Sequence, residues 1–160
     1  MTGDSLQFEC KYFDQLSTAE LYEIMALRQR VFVVEQNCPY LDADGKDPES
    51  WHLMGRNTEG KLWAYARLLP EGLSFEGHAS IGRVVSSPDA RRIGAGKQLM
   101  QAAMAQMPAI FPNSPIRIGA QTYLIKFYES FDFEIDGEVY MEDGIPHVEM
   151  LKKLSSFANL

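Results

Sequence analysis

The chain predicts a mixed α/β fold, and three observations carry that expectation. Stretches with two-residue alternation of apolar side chains are interleaved with stretches of helical periodicity, in the order βα, ββ, βαβα, ββ. One apolar strand, His78–Ser86, runs straight into a basic, glycine-containing loop and then into a helix. With 46% apolar and 23% charged residues among 160, the composition is that of a globular chain able to bury a sizeable core. We therefore expect a single domain spanning residues 1–160.

Taken in order, Leu6, Phe8 and Cys10 alternate and open the fold as a strand. Ser17 and Glu20 have the spacing of a capping box, and Leu21, Ile24, Leu27, Arg28 and Val31 continue from it at helical spacing. Val31–Val34 then leads into a polar loop, Glu35 to Ser50, in which Glu35, Asp42, Asp44, Asp47 and Glu49 face Lys46 alone. Trp51–Arg56 and Lys61–Leu69 read as a hairpin across the turn residues Asn57–Gly60. After His78–Ser86, a helix from about Gly94 to Met107 carries Leu99, Ala103 and Met107 on one stripe with Met100 and Met104 beside it. Pro108 is expected to end it. Ile116–Ala120 reads as a strand, Leu124–Phe131 as a short helix, and Phe133–Tyr140 and His147–Lys152 as closing strands.

Composition also excludes. A formal net charge of −7 argues against a nucleic-acid partner, which requires a basic face. Cys10 and Cys38 are too few for a disulfide framework, and no Cys/His spacing suggests a metal site. No apolar run approaches the roughly 20 residues needed to span a bilayer. Met1–Asp4 lacks the basic and apolar regions of a secretory signal, so a cytoplasmic location without membrane association is expected.

Against this acidic background, Arg83, Arg91, Arg92 and Lys97 lie close together in sequence at the His78–Ser86 strand and the loop after it, with only Asp89 to counter them. A strand–loop–helix junction aims backbone N–H groups and the positive end of the helix dipole at one point. Gly94 and Gly96 leave that point open to a bulky anion. A P-loop is excluded: Arg91 stands where its first glycine belongs and Gln98 where its hydroxyl should be. A dinucleotide fingerprint fails at Leu99, which replaces the third glycine.

Arg91-Arg92-Ile93-Gly94-Ala95-Gly96 fits the pattern Gln/Arg-x-x-Gly-x-Gly/Ala in full. Here the chain resembles the GCN5-related N-acetyltransferase (GNAT) family over nearly its whole length. Ser86-Ser87-Pro88 resembles the family's strand end, and Phe127-Tyr128-Glu129-Ser130-Phe131-Asp132-Phe133 its Tyr-x-x-x-Gly-Phe segment. Val31–Tyr40 and Asp143–His147 resemble a small bacterial, ElaA-type branch. The resemblance implies a mainly antiparallel sheet flanked by helices, with a splayed central strand pair, and acetyl-CoA as co-substrate.

On this resemblance the cofactor-binding residues are Val84, Val85 and Ser86 along the pantetheine arm, and Arg91, Arg92, Ile93, Gly94, Ala95, Gly96 and Lys97 around the pyrophosphate. Gln121 stands where many relatives carry a cofactor-contacting Asn. Tyr128 is the implied general acid toward the departing sulfur. Asp132 replaces a glycine that usually adopts a left-handed conformation after the helix. Many relatives place an acidic base on the strand before the loop, but this chain offers Gly82 and Arg83 there. Glu35 is then the first candidate for the base, followed by His52 and His147. Cys38 reads better as a small buried thiol than as a nucleophile. Asp42, Asp44 and His52 are expected to line the acceptor pocket, with Asp47 adding charge toward a cationic amine such as a polyamine, aminoglycoside or peptide amine. The implied reaction is direct acetyl transfer to a primary amine in a ternary complex, and edge strands of such folds often pair into homodimers. Two other readings stay open: a catalytically silent acyl-CoA sensor, and a more remote acyl-homoserine-lactone-synthase-like acyltransferase.

Overall fold

In the computed structural model, which describes residues 5–154, eight strands and three α-helices build two sheets that meet edge to edge. Strands β1 (Gln7–Tyr12), β2 (Trp51–Arg56), β3 (Leu62–Leu69) and β4 (Ser80–Ser86) form an antiparallel sheet in chain order. Strands β5 (Ile116–Gln121), β6 (Glu134–Ile135), β7 (Tyr140–Glu142) and β8 (Ile145–Lys152) form a second antiparallel sheet, with β8 pairing to the other three. The Met1–Asp4 segment read for a leader lies outside the described residues.

The hairpin β2–β3 turns where the side chain of Asn57 accepts from the backbone N–H groups of Glu59 and Lys61 at 2.9 and 2.8 Å. Both strands are buried on both faces, because successive side chains point to opposite sides. Leu53, Ala64, Ala66 and Leu68 face one core with helix α2 (Ala95–Ile110); Met54 and Tyr65 face the other with helix α1 (Thr18–Arg28). The capping box of α1 forms as expected: Ser17 Oγ accepts from Glu20 N–H at 3.0 Å, and the Glu20 carboxylate accepts from Ser17 N–H at 2.8 Å.

Leu99, Met100, Ala103 and Met107 are buried in the core, while Met104 sits at its margin. Helix α2 does not stop at Pro108 but runs on to Ile110. An exposed proline in the last turn forfeits only one hydrogen bond, and Phe111 N–H to Met107 O at 2.8 Å closes the helix beyond it. The expected strand Phe133–Tyr140 is also corrected. It divides into the short β6 and β7, with the left-handed Gly137 between them at φ 137°.

Strands β4 and β5 are parallel neighbours joined only at their start. Ala79 N–H donates to Pro115 O at 3.0 Å and Arg117 N–H to Ala79 O at 2.9 Å. Beyond that point they diverge, and this splayed pair opens the cleft that carries the site. A bulge in β4 adds to the opening. Tyr65 pairs with Val85 but Arg67 with Gly82, so Ala66 faces two residues, Arg83 and Val84, and Arg83 takes φ 50°. The extra residue turns Ile81 and Val85, four apart, toward opposite cores.

Candidate active site

The cleft holds two adjoining cavities. The first, a groove, is lined by Val84, Val85 and Ser86 of β4, by Arg91 and Gly96, and by Phe127 and Tyr128 of helix α3 (Ile125–Glu129). The second is lined by Cys38 and Tyr40, by Arg83, and by Asp143 and His147 at and beside the β7–β8 turn. Phe32, Gln36, Val84, Gln121, Leu124 and Tyr128 line both. Tyr128 therefore stands at the junction.

At one end of the groove, a 3₁₀ turn over Pro88–Ile93 leads into Gly94, which is left-handed at φ 70° and caps α2. The first-turn N–H groups of α2 lack partners within the helix. No heavy atom lies within 4 Å of where a Cβ would stand on Gly94 or Gly96, so this cradle is open to a large anion. Arg92 and Lys97 are exposed and make no ion pair among the described residues. Ala95 is buried in the core and Ile93 packs against it, so these two contribute backbone only. The residues expected around a pyrophosphate thus fit such a group.

Tyr128 is 7% exposed, with Phe127 and Phe133 against its ring edge-on at 5.2 and 6.1 Å. Burial, with Tyr123 nearby, pushes its hydroxyl up to about 12. It therefore stays protonated at neutral pH and is available as a donor. No side chain or backbone group among the described residues holds that hydroxyl in a hydrogen bond. Asp132 adopts φ 70°, the left-handed conformation expected of it. Phe133 N–H returns to Tyr128 O at 3.3 Å and Asp132 N–H to Glu129 O at 3.0 Å, a Schellman cap whose apolar contact is the Phe133–Tyr128 pair. The cap that ends the helix also seats the tyrosine.

After α1, a π-helical segment over Gln29–Glu35 continues the chain, so Gln36 N–H reaches five residues back to Val31 O at 3.0 Å. The wider turn brings Phe32, Glu35 and Gln36 to the cleft. Glu35 does not face the second cavity. It pairs with Arg91 across the groove, so a carboxylate expected to serve the acceptor amine instead lies on the phosphate-loop side.

Asp42 and Asp44 depart further from expectation. Instead of opening toward an acceptor, they belong with Asp47 to a closed ring of alternating charges. Arg28 binds Asp42 at 2.9 Å and Asp47 at 2.7 Å. Arg67 binds Asp47 at 3.0 Å and Asp44 at 2.8 Å, while Arg83 binds Asp42 at 2.8 Å and Asp44 at 3.3 Å. Three arginines and three aspartates cancel, so these carboxylates leave no net negative charge for a cation. Burial alone would raise Asp47, but the hydrogen bonds and charges of Arg28 and Arg67 more than offset it and hold the carboxyl below its usual range. Asp44 is depressed in the same way, chiefly through Arg67.

His52, also expected at the acceptor pocket, is fully buried behind this ring. Its Nδ1 lies 2.6 Å from the Tyr65 hydroxyl and its Nε2 3.0 Å from Asp47 O. Burial lowers its pKa, and it lines neither cavity. The arginine partners were the residues missed by sequence reasoning. Arg67 within Leu62–Leu69, and Arg28 among Ile24, Leu27 and Val31, are cations at core positions, and such cations need carboxylates.

The comparisons agree with this geometry. A family model described as an acetyltransferase (GNAT) domain matches residues 49–154. A UPF0039 protein of Schizosaccharomyces pombe is 45% identical over 94% of this chain and 99% of its own. The crystal structure of Escherichia coli ElaA superposes with a TM-score of 0.85 at 39% identity, covering 92% of this chain and 99% of that one. An acyl-CoA N-acyltransferase structure from Pseudomonas aeruginosa gives 0.86 at 43%, with the same coverage. The ElaA-type resemblance therefore holds but is not confined to bacteria. No helix among the described residues is long and apolar enough to cross a membrane. The chain belongs to the acetyltransferase (GNAT) family and is, at that level, an acyltransferase.

Proposed function

We propose that this protein transfers an acetyl group from acetyl-CoA to a primary amine by direct attack within a ternary complex. The observation that carries the reading is the position of Tyr128, buried where a phosphate-loop groove meets a second cavity with its hydroxyl uncommitted. Such a junction is where a thioester threaded along β4 and an amine entering the other cavity would meet. Acetyl-CoA supplies the activated acyl group, and the chain supplies position. Arg91, Arg92, Lys97 and the backbone at Gly94–Gly96 bind the phosphates. Val84–Ser86 present an edge left unpaired by the splay, along which the pantetheine arm can hydrogen-bond as an added strand would. Gln121, from β5, faces both cavities and can orient the arm. Tyr128 donates to the departing sulfur, and much of the acceleration comes from holding amine and thioester together.

Thermal stability with acetyl-CoA, against ATP and NAD as controls, tests the cofactor. A ligand at a hundred times its dissociation constant adds about 2.7 kcal/mol, or roughly 5–10 °C for a domain of this size. A shift with acetyl-CoA alone supports the reading, and an equal shift with ATP refutes it. Tyr128→Phe is expected to lower kcat about 100-fold, the low end for a positioned acid, and to leave acetyl-CoA affinity unchanged. Wild-type kinetics in that variant would remove Tyr128 from the reaction.

A further inference from the structure

We infer that His147 is the general base of this site, accepting the acceptor amine's proton at Nε2. The inference rests on the acetyltransferase reading above. His147 is the first residue of β8 to pair with β5, directly across from Gln121, and it lines the second cavity together with Tyr128. Its Nδ1 lies 2.7 Å from the backbone oxygen of Ile145. A carbonyl oxygen only accepts, so Nδ1 carries the hydrogen, and in the neutral ring the lone pair is left on Nε2. That atom makes no hydrogen bond among the described residues. The Glu142 carboxylate lies 3.7 Å from it. The ring is held flat against Tyr140, centroids 5.7 Å apart and planes 26° apart, and Tyr140 is itself packed against Gly119. A fixed tautomer, a stacked ring and an Nε2 without a hydrogen bond, on a residue that lines the acceptor cavity, suit a base.

The other residues that the sequence suggested for the acceptor side do not meet these conditions. Glu35 is tied to Arg91 on the groove side. Both ring nitrogens of His52 are engaged behind the arginine–aspartate ring. Asp42 is matched by two arginines.

The step balances. The amine nitrogen bonds the thioester carbonyl carbon, and the C–S bond breaks with its electron pair leaving on sulfur. His147 Nε2 takes a proton from the nitrogen, while the Tyr128 hydroxyl gives one to the sulfur. Solvent then carries a proton from the imidazolium to the phenolate, and both side chains return to their starting state.

His147→Asn separates this role from a structural one, because its amide nitrogen can still donate to the Ile145 oxygen while nothing replaces Nε2. Rates would be followed by thiol release from acetyl-CoA with a diamine, an aminoglycoside and a lysine peptide as probe amines. We expect kcat to fall about 10²- to 10⁴-fold, with acetyl-CoA affinity and melting temperature retained. Added imidazole should restore His147→Ala at least about tenfold, as expected when a positioned proton acceptor has been removed. A rate within twofold of wild type for His147→Asn overturns the assignment while leaving the acetyltransferase reading standing. Wild-type protein that releases no thiol with any probe refutes acyl transfer to these amines, and His147 as their base falls with it. Nitrogen NMR of the imidazole gives an activity-free check: the ring should be protonated at Nδ1, and a ring protonated at Nε2 alone overturns the inference.

Discussion

Asp47→Asn is the sharpest test of the charge ring. Asp47 accepts from Arg28 at 2.7 Å and Arg67 at 3.0 Å, two guanidinium groups that are 0% and 3% exposed. Asparagine keeps the volume and removes one charge, so the ring passes from neutral to one uncompensated positive charge in the interior. Breaking a buried pair from one side costs about 3–5 kcal/mol, which for this chain length is a fall of roughly 6–20 °C in the melting midpoint. The pH dependence follows from sign. The folded carboxyl titrates below its unfolded value near 3.9, so its stabilisation is complete above about pH 4. That stabilisation is lost as pH falls through the folded value. The gap between wild type and variant should therefore be widest near neutrality and narrow below about pH 4. Adding Arg28→Met leaves two arginines facing two aspartates, and the double variant should recover much of the loss. Melting followed by circular dichroism at pH 7 and pH 3.5 provides the assay. A shift under 2 °C at neutral pH, or a double variant weaker than the single one by another full step, would refute the ring as a coupled unit.

Two further perturbations address other parts of the fold. Gly96→Asp meets nothing within 4 Å of its new Cβ and sits at a helical start that favours acidic residues, so the free protein should melt within about 2 °C of wild type. Its carboxylate faces the phosphates, and calorimetry should show acetyl-CoA binding lost; undiminished binding would move the cofactor out of this groove. Asp132→Gly relieves a left-handed aspartate at the end of α3 and should stabilise by about 0.5–1 kcal/mol in urea denaturation with kcat unchanged. A destabilised variant would mean that the Asp132 side chain contributes something beyond its backbone conformation.

Much of the fold was legible because its signals are local. The capping box at Ser17 and the turn at Asn57 each depend on a few adjacent residues, and each forms where the sequence indicates, while the left-handed Asp132 follows from the family resemblance. The errors fell where two weak preferences compete. Pro108 lies so near the helix end that its missing hydrogen bond costs little, and the helix passes through it. The bulge at Arg83 left no mark, since a positive φ on arginine follows from pairing across Ala66 and from nothing in its own neighbourhood.

The site divides along the same line. The Arg91–Gly96 loop is one contiguous segment, and the family resemblance carried by its motif is what named its residues as a cofactor loop; the structure leaves that segment open to an anion. The carboxylates of the 35–50 loop could not be assigned, because a run of aspartates looks the same whether it greets a ligand or neutralises buried cations. What decides is the count of arginines at core positions elsewhere: Arg28 on the apolar stripe of α1, and Arg67 between Ala66 and Leu68. Burying either without a carboxylate would cost more than most single contacts can return, so those positions already required acidic partners. The same accounting spares His147. It is buried at one nitrogen by a local carbonyl and open at the other, and a histidine with one committed nitrogen still has chemistry left to perform.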